Sequence, residues 1–277
     1  MLGPTSEQRS PPLEHRPIAS ETGLDARLRI RRGEHRGHTA RLAPGYVQGN
    51  LVILPRDLAE DFAEFCRRNP KSCPLLAAGA PGDPRLPRLG ADLDIRTDLP
   101  AYRVWRDGAL ADEVTDIRDF WRDDLVSFVL GGSFTLEHAM LAAGLKLRSV
   151  DMGVEGAAFR TTIEAAPAGP FRGTVAVSMR SFKPADAIRA IEVTARYPSA
   201  HGAPLHIGLP EQIGISDLAQ PDYGVPMAVP ADELPLFWAC GLTTHEAVQA
   251  ARAPFCITHV SAHMLVTDLR LSDIAAY

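Results

Sequence analysis

The feature that most constrains the fold of this chain is a unit that occurs three times, in which an apolar run is followed by a turn and then by a helical pattern. The three copies are "NLVILPRDLAEDFAEFCRRNP", "DDLVSFVLGGSFTLEHAMLAAGL" and "ELPLFWACGLTTHEAVQAAR". In each copy, a β-rich run precedes apolar residues spaced three or four apart, which is typical of a buried strand followed by an amphipathic helix. Because such units pack in layers, the sequence predicts an α/β protein.

The remaining patterns extend this prediction to the whole chain. A further strand is expected from Thr174 to Met179, with a helix beginning near Pro184, and "FCITHVSAHMLVTDL" predicts two short closing strands. We expect two lobes, a three-layer αβα main domain and a smaller two-layer α+β lobe. The expected divisions are a disordered tail over 1–22, the main domain over 23–130 and 201–277, and the inserted smaller lobe over 131–200.

Composition indicates an ordinary soluble protein. The 277 residues are 45% apolar and 23% charged, with a formal net charge of −5. The four cysteines lack CxxC spacing, which favours a reducing environment, and no apolar run suggests a signal peptide or membrane span. We therefore expect a cytoplasmic protein, assembled as a homodimer, whose partners are small molecules rather than nucleic acids or membranes.

Two patterns raise other functions. His259 and His263 have the HxxxH spacing of a zinc site on a helix, but their surroundings favour a strand, where residues four apart lie about 13 Å from each other. No metal is therefore expected. The segment "ARLRIRRGEHRGHTARL" is rich in arginine but lacks a nucleic-acid-binding motif. Its Arg29 and Arg31 suit either ion pairs or an anionic substrate.

The two junctions from strand through glycine to helix are the stronger candidates for a site. Unpaired N–H groups and the helix dipole at such a junction attract a carboxylate or phosphate. We expect Ser133 and Gly241 to contact substrate there. Neither junction contains GxGxxG or GxxxxGK[ST], so no nucleotide cofactor is predicted. Cys240 is either a nucleophile activated by the helix N-terminus or a small buried residue.

Nine sequence blocks, in order, resemble the D-glutamate cyclase family, whose bacterial members are called hydro-lyases. The blocks are "GHTARLAPGYVQGNLVILP", "FCRRNPKSCPLL", "DIRTDLPAYRVWRDG", "WRDDLVSFVLGGSFTLE", "VSMR", "HGAPLHIGLPEQIGI", "PDYG", "LPLFWACGLT" and "ITHVSAHMLVTDL". They extend from about residue 30 to 270. The resemblance implies a two-domain α/β fold and an enzyme that removes water.

The chain also departs from the family pattern near the expected site. The family usually has Cys where this chain has Gly132, a Pro-Gly turn in place of Ser261-Ala262, and Pro-Gln in place of Thr244-His245. The activity after which the family is named closes D-glutamate to 5-oxo-D-proline. A β-hydroxy-acid dehydratase would use similar groups, and the sequence does not separate the two reactions.

Such a cyclisation needs three functions: both carboxylates must be held, the ammonium must lose a proton and the leaving oxygen must gain one. Arginines and the two junctions suit the first, because a guanidinium presents two parallel donors to a carboxylate. Histidines of the block "PSAHGAPLHIG" suit the second, and a carboxylic acid the third. The expected catalytic residues are His201, His206, Glu137, Asp222 and Cys240. The expected substrate-binding residues are Arg160, Arg180, Ser133, Gly241 and His259.

Three classes of function remain open from the sequence. The first is a hydro-lyase acting on a small amino or hydroxy dicarboxylate without a cofactor. The second is a non-catalytic protein that binds carboxylates or has a regulatory role. The third is a cysteine-dependent hydrolase. For each candidate arginine, histidine and carboxylate, an ordinary hydrogen bond or ion pair is the competing interpretation.

Overall fold

The computed structural model describes residues 21–276. The tail predicted over 1–22 lies outside the described residues except for Glu21 and Thr22. Glu21 accepts a hydrogen bond from the backbone N–H of Ala43 at 3.0 Å. Thr22 caps the first helix, and its side chain exchanges hydrogen bonds with Asp25 in a capping box. These two residues therefore belong to the folded part of the chain.

Six α-helices and eleven β-strands make up the described residues. The helices are α1 (Gly23–Arg31), α2 (Arg56–Arg68), α3 (Ser133–Ala142), α4 (Arg148–Met152), α5 (Pro184–Ala195) and α6 (Leu242–Ala251). The strands are β1 (Tyr46–Pro55), β2 (Leu75–Ala78), β3 (Tyr102–Arg106), β4 (Ala109–Val114), β5 (Leu125–Gly131), β6 (Ala158–Glu164), β7 (Thr174–Phe182), β8 (His206–Ile207), β9 (Leu234–Ala239), β10 (Cys256–His259) and β11 (Leu265–Arg270).

The larger sheet has seven strands in the order β2-β5-β1-β10-β3-β4, and β11 pairs with β1 beside β10. All pairings are antiparallel. β1 is central, and all ten of its residues are buried. It pairs with β5 along one side, and with β10 and β11 along the other. A strand that is covered on both faces has a continuous apolar sequence, which accounts for the run "LVIL" in β1.

The smaller sheet has four antiparallel strands in the order β6-β7-β9-β8. β6 and β7 come from the lobe predicted over 131–200, whereas β8 and β9 follow it in the chain. Residue 200 is therefore not a boundary of this sheet, which continues to Ala239. The sequence could not indicate this, because strand pairing between distant segments depends on tertiary contacts.

Apolar contacts join the two sheets. One core cluster contains Val52 of β1, Phe62 of α2, Val177 of β7 and Phe237 of β9. A second cluster covers the other face of the larger sheet with the segment 86–99, which contains no helix. One outer layer of the predicted αβα arrangement is therefore irregular chain. A third cluster packs α3 and α5 against the smaller sheet around Trp238.

The predicted mixed α/β, two-lobed class is confirmed by the helices and the two sheets. The strands and helices expected in the three repeated units are present, as are those near Thr174 and Pro184 and the two closing strands. Helix α1 and the β3–β4 hairpin were not predicted. None of the helices in residues 21–276 combines the length and the apolar character that crossing a bilayer requires.

Candidate functional site

A small polar cavity lies where the two sheets meet the N-termini of α3 and α6. Its volume is about 50 Å³, and its walls come from β1, β7, β10, the first turns of α3 and α6, and the segments 155–158 and 261–264. Two features suit a small polar ligand: the cavity is narrow, and many of its walls end in hydroxyl, carboxylate, guanidinium or imidazole groups. The strands β1 and β7 and the helices α3 and α6 that carry several of these groups pack into the apolar core.

A buried ion pair forms one wall. The Nη2 atom of Arg180 lies 2.5 Å from Oε1 of Glu137, and each side chain is only 9% exposed. Arg180 also donates from Nη1 to the hydroxyl of Ser178 at 3.0 Å. These two residues are two positions apart on β7, so their side chains share a face of the sheet. The Nε atom of Arg180 is buried and has no hydrogen-bond partner among the described residues.

The N-termini of two helices form a second wall. Ser133 and Phe134 at the start of α3, and Leu242 at the start of α6, all line the cavity. Neither helix has a side-chain cap, so their first N–H groups are not satisfied by a capping side chain. Two helix dipoles therefore place partial positive charge beside the cavity, which favours a bound carboxylate.

The junction before α6 is closely packed. A Cβ atom on Gly241 would lie 2.3 Å from Nδ2 of Asn50. Asn50 lines the cavity from β1 and donates a hydrogen bond to the carbonyl oxygen of Gly131 at 3.0 Å. Asn50 thus connects the two strand-to-helix junctions, and only glycine leaves space for it at position 241.

Two histidines face each other at the cavity. The rings of His245 and His259 are 5.0 Å apart. Burial lowers the pKa of His245 to about 4 and that of His259 to about 3, so both rings are neutral at pH 7. His259 lies with Nδ1 at 2.7 Å from the Val260 carbonyl oxygen and Nε2 at 3.1 Å from Oδ1 of Asn50. Both ring nitrogens of His259 therefore face hydrogen-bond acceptors. By contrast, the Nε2 atom of His245 has no hydrogen-bond partner among residues 21–276.

The thiol of Cys240 also lines the cavity. Burial raises its pKa to about 11, although the N–H groups of Leu242 and Gly241 act in the opposite direction. The desolvation of the thiolate therefore outweighs the helix N-terminus. The thiolate nucleophile suggested by the sequence is disfavoured at neutral pH, because the thiol remains protonated.

A second carboxylate, that of Glu155, enters the cavity from the segment that follows α4. Its Oε1 atom accepts a hydrogen bond from the hydroxyl of Ser261 at 2.6 Å. The backbone carbonyl of Glu155 accepts from the N–H of Val225 at 3.2 Å, which fixes this segment. Among residues 21–276 no lysine or arginine forms an ion pair with Glu155.

Five of the ten residues predicted for the site line this cavity, and a sixth adjoins it. The five are Ser133, Glu137, Arg180, Cys240 and His259. The sixth, Gly241, is the N-cap of α6. The structure thus brings together both strand-to-helix junctions, Arg180 of β7 and His259 of the HxxxH pair.

The two histidines of "PSAHGAPLHIG" lie outside the cavity. His201 is 1% exposed, and its Nδ1 lies 3.0 Å from the Lys71 carbonyl oxygen. Burial lowers its pKa to about 4. His206 is on β8, with Nε2 3.1 Å from the Leu209 carbonyl oxygen and its ring near Phe237. The loop that carries them packs against the end of β5, so the two histidines join elements of the fold.

Arg160 and Asp222 are also outside it. The Nη1 atom of Arg160 lies 3.0 Å from Oδ1 of Asp222, and Nη2 lies 2.9 Å from Oε1 of Glu246. The guanidinium also donates to the hydroxyl of Tyr223 at 2.7 Å. These contacts connect β6 with α6 at the surface.

Three arginines of the basic segment, Arg27, Arg29 and Arg31, form ion pairs. Arg27 is fully buried and contacts Asp92 at 2.6 Å and Asp268 at 2.9 Å. Arg31 pairs with Asp98, and Arg29 pairs with Glu21, each at 2.5 Å. Of the two readings of Arg29 and Arg31, the structure therefore favours ion pairing. No group of three His, Cys, Asp or Glu side chains within residues 21–276 is arranged to hold a metal ion.

Sequence reasoning missed several residues of the cavity, namely Asn50, Ser149, Glu155, Ser178, His245 and Ser261. Asn50 could in principle have been identified from the sequence, because an amide inside the buried apolar run of β1 must find hydrogen-bond partners. Ser178 similarly interrupts the apolar run of β7. No local pattern distinguishes Glu155 or Ser261 from ordinary surface residues, because only the packing of their segments brings them to the cavity.

The fold and the cavity define an α/β protein with a buried polar pocket between two antiparallel sheets. Comparison with known proteins is more specific: residues 126–268 match the family model described as D-glutamate cyclase. The chain belongs to this family. A protein of Bordetella petrii named "Putative hydro-lyase" is 58% identical over 256 residues, which cover 92% of this chain and 97% of that protein.

Other relatives agree with this match. A protein of the same name from Methylobacterium sp. is 56% identical over 254 residues, covering 92% of this chain and 94% of the relative. Among solved structures, a nitrogen repressor-like protein from Methanococcus jannaschii aligns over 92% of this chain and 97% of its own. Its TM-score is 0.40 and its identity 12%, a likeness too distant to carry functional meaning.

Proposed function

We propose that this protein is a hydro-lyase that acts on a small amino or hydroxy dicarboxylate, and that its reaction is the closure of D-glutamate to 5-oxo-D-proline. The observation that carries the proposal is the convergence of Arg180, with its unpartnered Nε, and two uncapped helix N-termini on one narrow cavity. The family match and the hydro-lyase names of the relatives support the same class of reaction.

The reaction requires a balanced transfer of two protons. The α-amine attacks the γ-carboxyl carbon, a C–N bond forms and a C–O bond breaks. The nitrogen changes from an ammonium to an amide N–H and loses two protons, while the departing carboxylate oxygen gains two and leaves as water. No external acid, base or oxidant is consumed, so the pocket needs only to accept protons at one position and to return them at another.

The cavity offers groups for binding the substrate and for stabilising the charge that develops. The guanidinium of Arg180 and the helix N-termini suit the two carboxylates, and their positive charge suits the oxyanion that forms when the amine attacks. Glu137 is held by Arg180 in an ion pair, and His259 is neutral because burial lowers its pKa to about 3, so neither readily supplies a proton; the leaving oxygen takes the protons that the ammonium releases. Dehydration of a β-hydroxy acid would use the same groups, with a base removing the α-proton.

The test is turnover by the purified protein. We expect incubation with D-glutamate to give 5-oxo-D-proline, followed by NMR, beside L-glutamate and a panel of hydroxy acids. Arg180→Met should reduce turnover by at least about a hundredfold, whereas Glu192→Gln, at an exposed position on α5, should not change it. Cys240→Ser should retain turnover if the thiol is not the nucleophile. Stabilisation by dicarboxylates without any product would instead identify a binding protein and overturn the proposal.

A further inference from the structure

The charges around the cavity do not cancel. Three side chains with a carboxylate or guanidinium group line it: Arg180, Glu137 and Glu155. Arg180 and Glu137 neutralise each other in their ion pair. His245 and His259 are neutral because burial lowers their pKa values to about 4 and about 3. Glu155, by contrast, forms no ion pair with a lysine or arginine of residues 21–276.

No nearby arginine or lysine among the described residues neutralises the carboxylate of Glu155. Arg41 lines the adjoining space together with Glu155, but it donates to the carbonyl oxygen of Val150 and forms no ion pair with Glu155. Ser261 supplies the single side-chain hydrogen bond to Glu155 within residues 21–276, and it reaches only Oε1. The Oε2 atom is therefore open to a donor from a ligand.

Glu155 and Arg180 also face the same interior. Both influence the thiol of Cys240, whose pKa is raised by the charge of Glu155 and lowered by that of Arg180. A ligand in this cavity beside Cys240 thus meets both the carboxylate of Glu155 and the guanidinium of Arg180. This arrangement is complementary to a molecule that carries both an ammonium and a carboxylate group.

From this arrangement we infer that Glu155 recognises the ammonium group of an amino-acid substrate and restricts the pocket to amino acids rather than hydroxy acids. The inference rests on the proposed function and specifies its substrate class. In cyclisation, Glu155 accepts the first proton from the ammonium, which frees the nitrogen lone pair for attack on the γ-carboxyl carbon. That proton then leaves with the water, so the carboxylate is regenerated.

The physical basis of this selectivity is desolvation. When substrate closes the cavity, the Glu155 carboxylate loses water, and a charge without a partner in a closed site is costly. An ammonium compensates this loss through a charge-assisted hydrogen bond, whereas a neutral hydroxyl compensates it only in part. The bond from Ser261 holds the carboxylate in place before substrate arrives, which reduces the entropy lost on binding.

Binding by calorimetry tests the inference without requiring turnover. The ligands are D-glutamate, D-2-hydroxyglutarate and glutarate, which differ only in the group on the α-carbon. We expect the native protein to bind glutamate at least about tenfold more tightly than either analogue. In Glu155→Gln this preference should disappear, and in Ser261→Ala it should weaken. Glu192→Gln serves as the matched control, since it removes the same charge from an exposed position.

The outcomes separate the two proposals. If Glu155→Gln keeps the preference for glutamate while its thermal unfolding is native-like, the inference is wrong. If the native protein binds the three ligands equally, it is also wrong. If the preference is lost in Glu155→Gln but the native protein turns over none of the substrates, ammonium recognition stands and the proposed hydro-lyase activity does not.

Discussion

At the scale of single residues, burial sets the protonation state of the cavity. Cys240 lies at a helix N-terminus, a position that by itself lowers a thiol pKa, yet its pKa is raised to about 11. His245 and His259 are kept neutral for the same reason. Arg180 and Glu137, both almost fully buried, form an ion pair in which each compensates the burial of the other. The pKa values of the cysteine and of the two histidines thus depend on how far burial removes them from water.

The first prediction concerns that ion pair. Glu137→Gln should lower the free energy of unfolding by about 3 kcal/mol, because it leaves the guanidinium of Arg180 buried without a counter-charge. The double variant Glu137→Leu with Arg180→Met should lose less, since it buries no unpaired charge. Urea denaturation of the three proteins measures both effects. A single variant as stable as the native protein would show that water reaches Arg180 freely.

At the scale of elements, the site is built from two equivalent junctions. Strand β5 ends at Gly131 and β9 at Ala239, and the helices that follow have the N-caps Gly132 and Gly241, without a side-chain cap. The antiparallel sheets place these two junctions next to each other, and Asn50 of β1 connects them. Two of the three strand-turn-helix units in the sequence therefore form walls of the cavity as well as parts of the fold.

The second prediction tests how closely these elements pack. Gly241→Ala should displace the Asn50 side chain, since the added Cβ would lie 2.3 Å from its Nδ2 atom. We expect a loss of about 1–3 kcal/mol in stability and a larger loss of ligand binding. Gly37→Ala is the matched control, because nothing lies within 4 Å of a Cβ there. Native-like binding of dicarboxylates by Gly241→Ala would contradict the proposed role of this junction.

At the scale of the whole molecule, buried neutral histidines couple folding to pH. His201 and His259 are 1% and 2% exposed, and burial lowers their pKa values to about 4 and about 3, from an ordinary value of 6.5. Between these values the unfolded chain binds more protons than the folded one. The stability due to the neutral rings is therefore complete above pH 6.5 and falls as the pH decreases toward 4.

The third prediction follows from this linkage. As the pH falls from 6.5 toward 4, each of the two histidine rings should reduce the free energy of unfolding by up to about 1.4 kcal/mol per pH unit. Urea unfolding at pH 7.5, 6.0 and 5.0 measures the slope. His201→Gln lies outside the cavity and should give a shallower slope than the native protein, even if it is less stable at pH 7.5. An unchanged slope would mean that His201 is protonated in the folded protein.

Much of the fold was accessible from the sequence. Apolar periodicity predicted β1 with α2, β5 with α3, β7 with α5 and β9 with α6, because these signals are local. It did not predict α1, whose buried Arg27 is stabilised by distant Asp92 and Asp268. The lobe boundary at residue 200 stays a prediction, and the smaller sheet pairs strands from both sides of it. The expected cytoplasmic location and homodimer stay predictions.

The sequence by itself determined the class of fold, the family and the two glycine junctions, since each depends on short-range patterns or on ordered blocks of residues. Only the tertiary structure decided which side chains share a cavity. It brought Asn50, Glu155 and Ser261 to Arg180 and left His201, His206, Arg160 and Asp222 outside. The physical reason is that burial and charge pairing depend on contacts between segments far apart in the chain, which no local pattern contains.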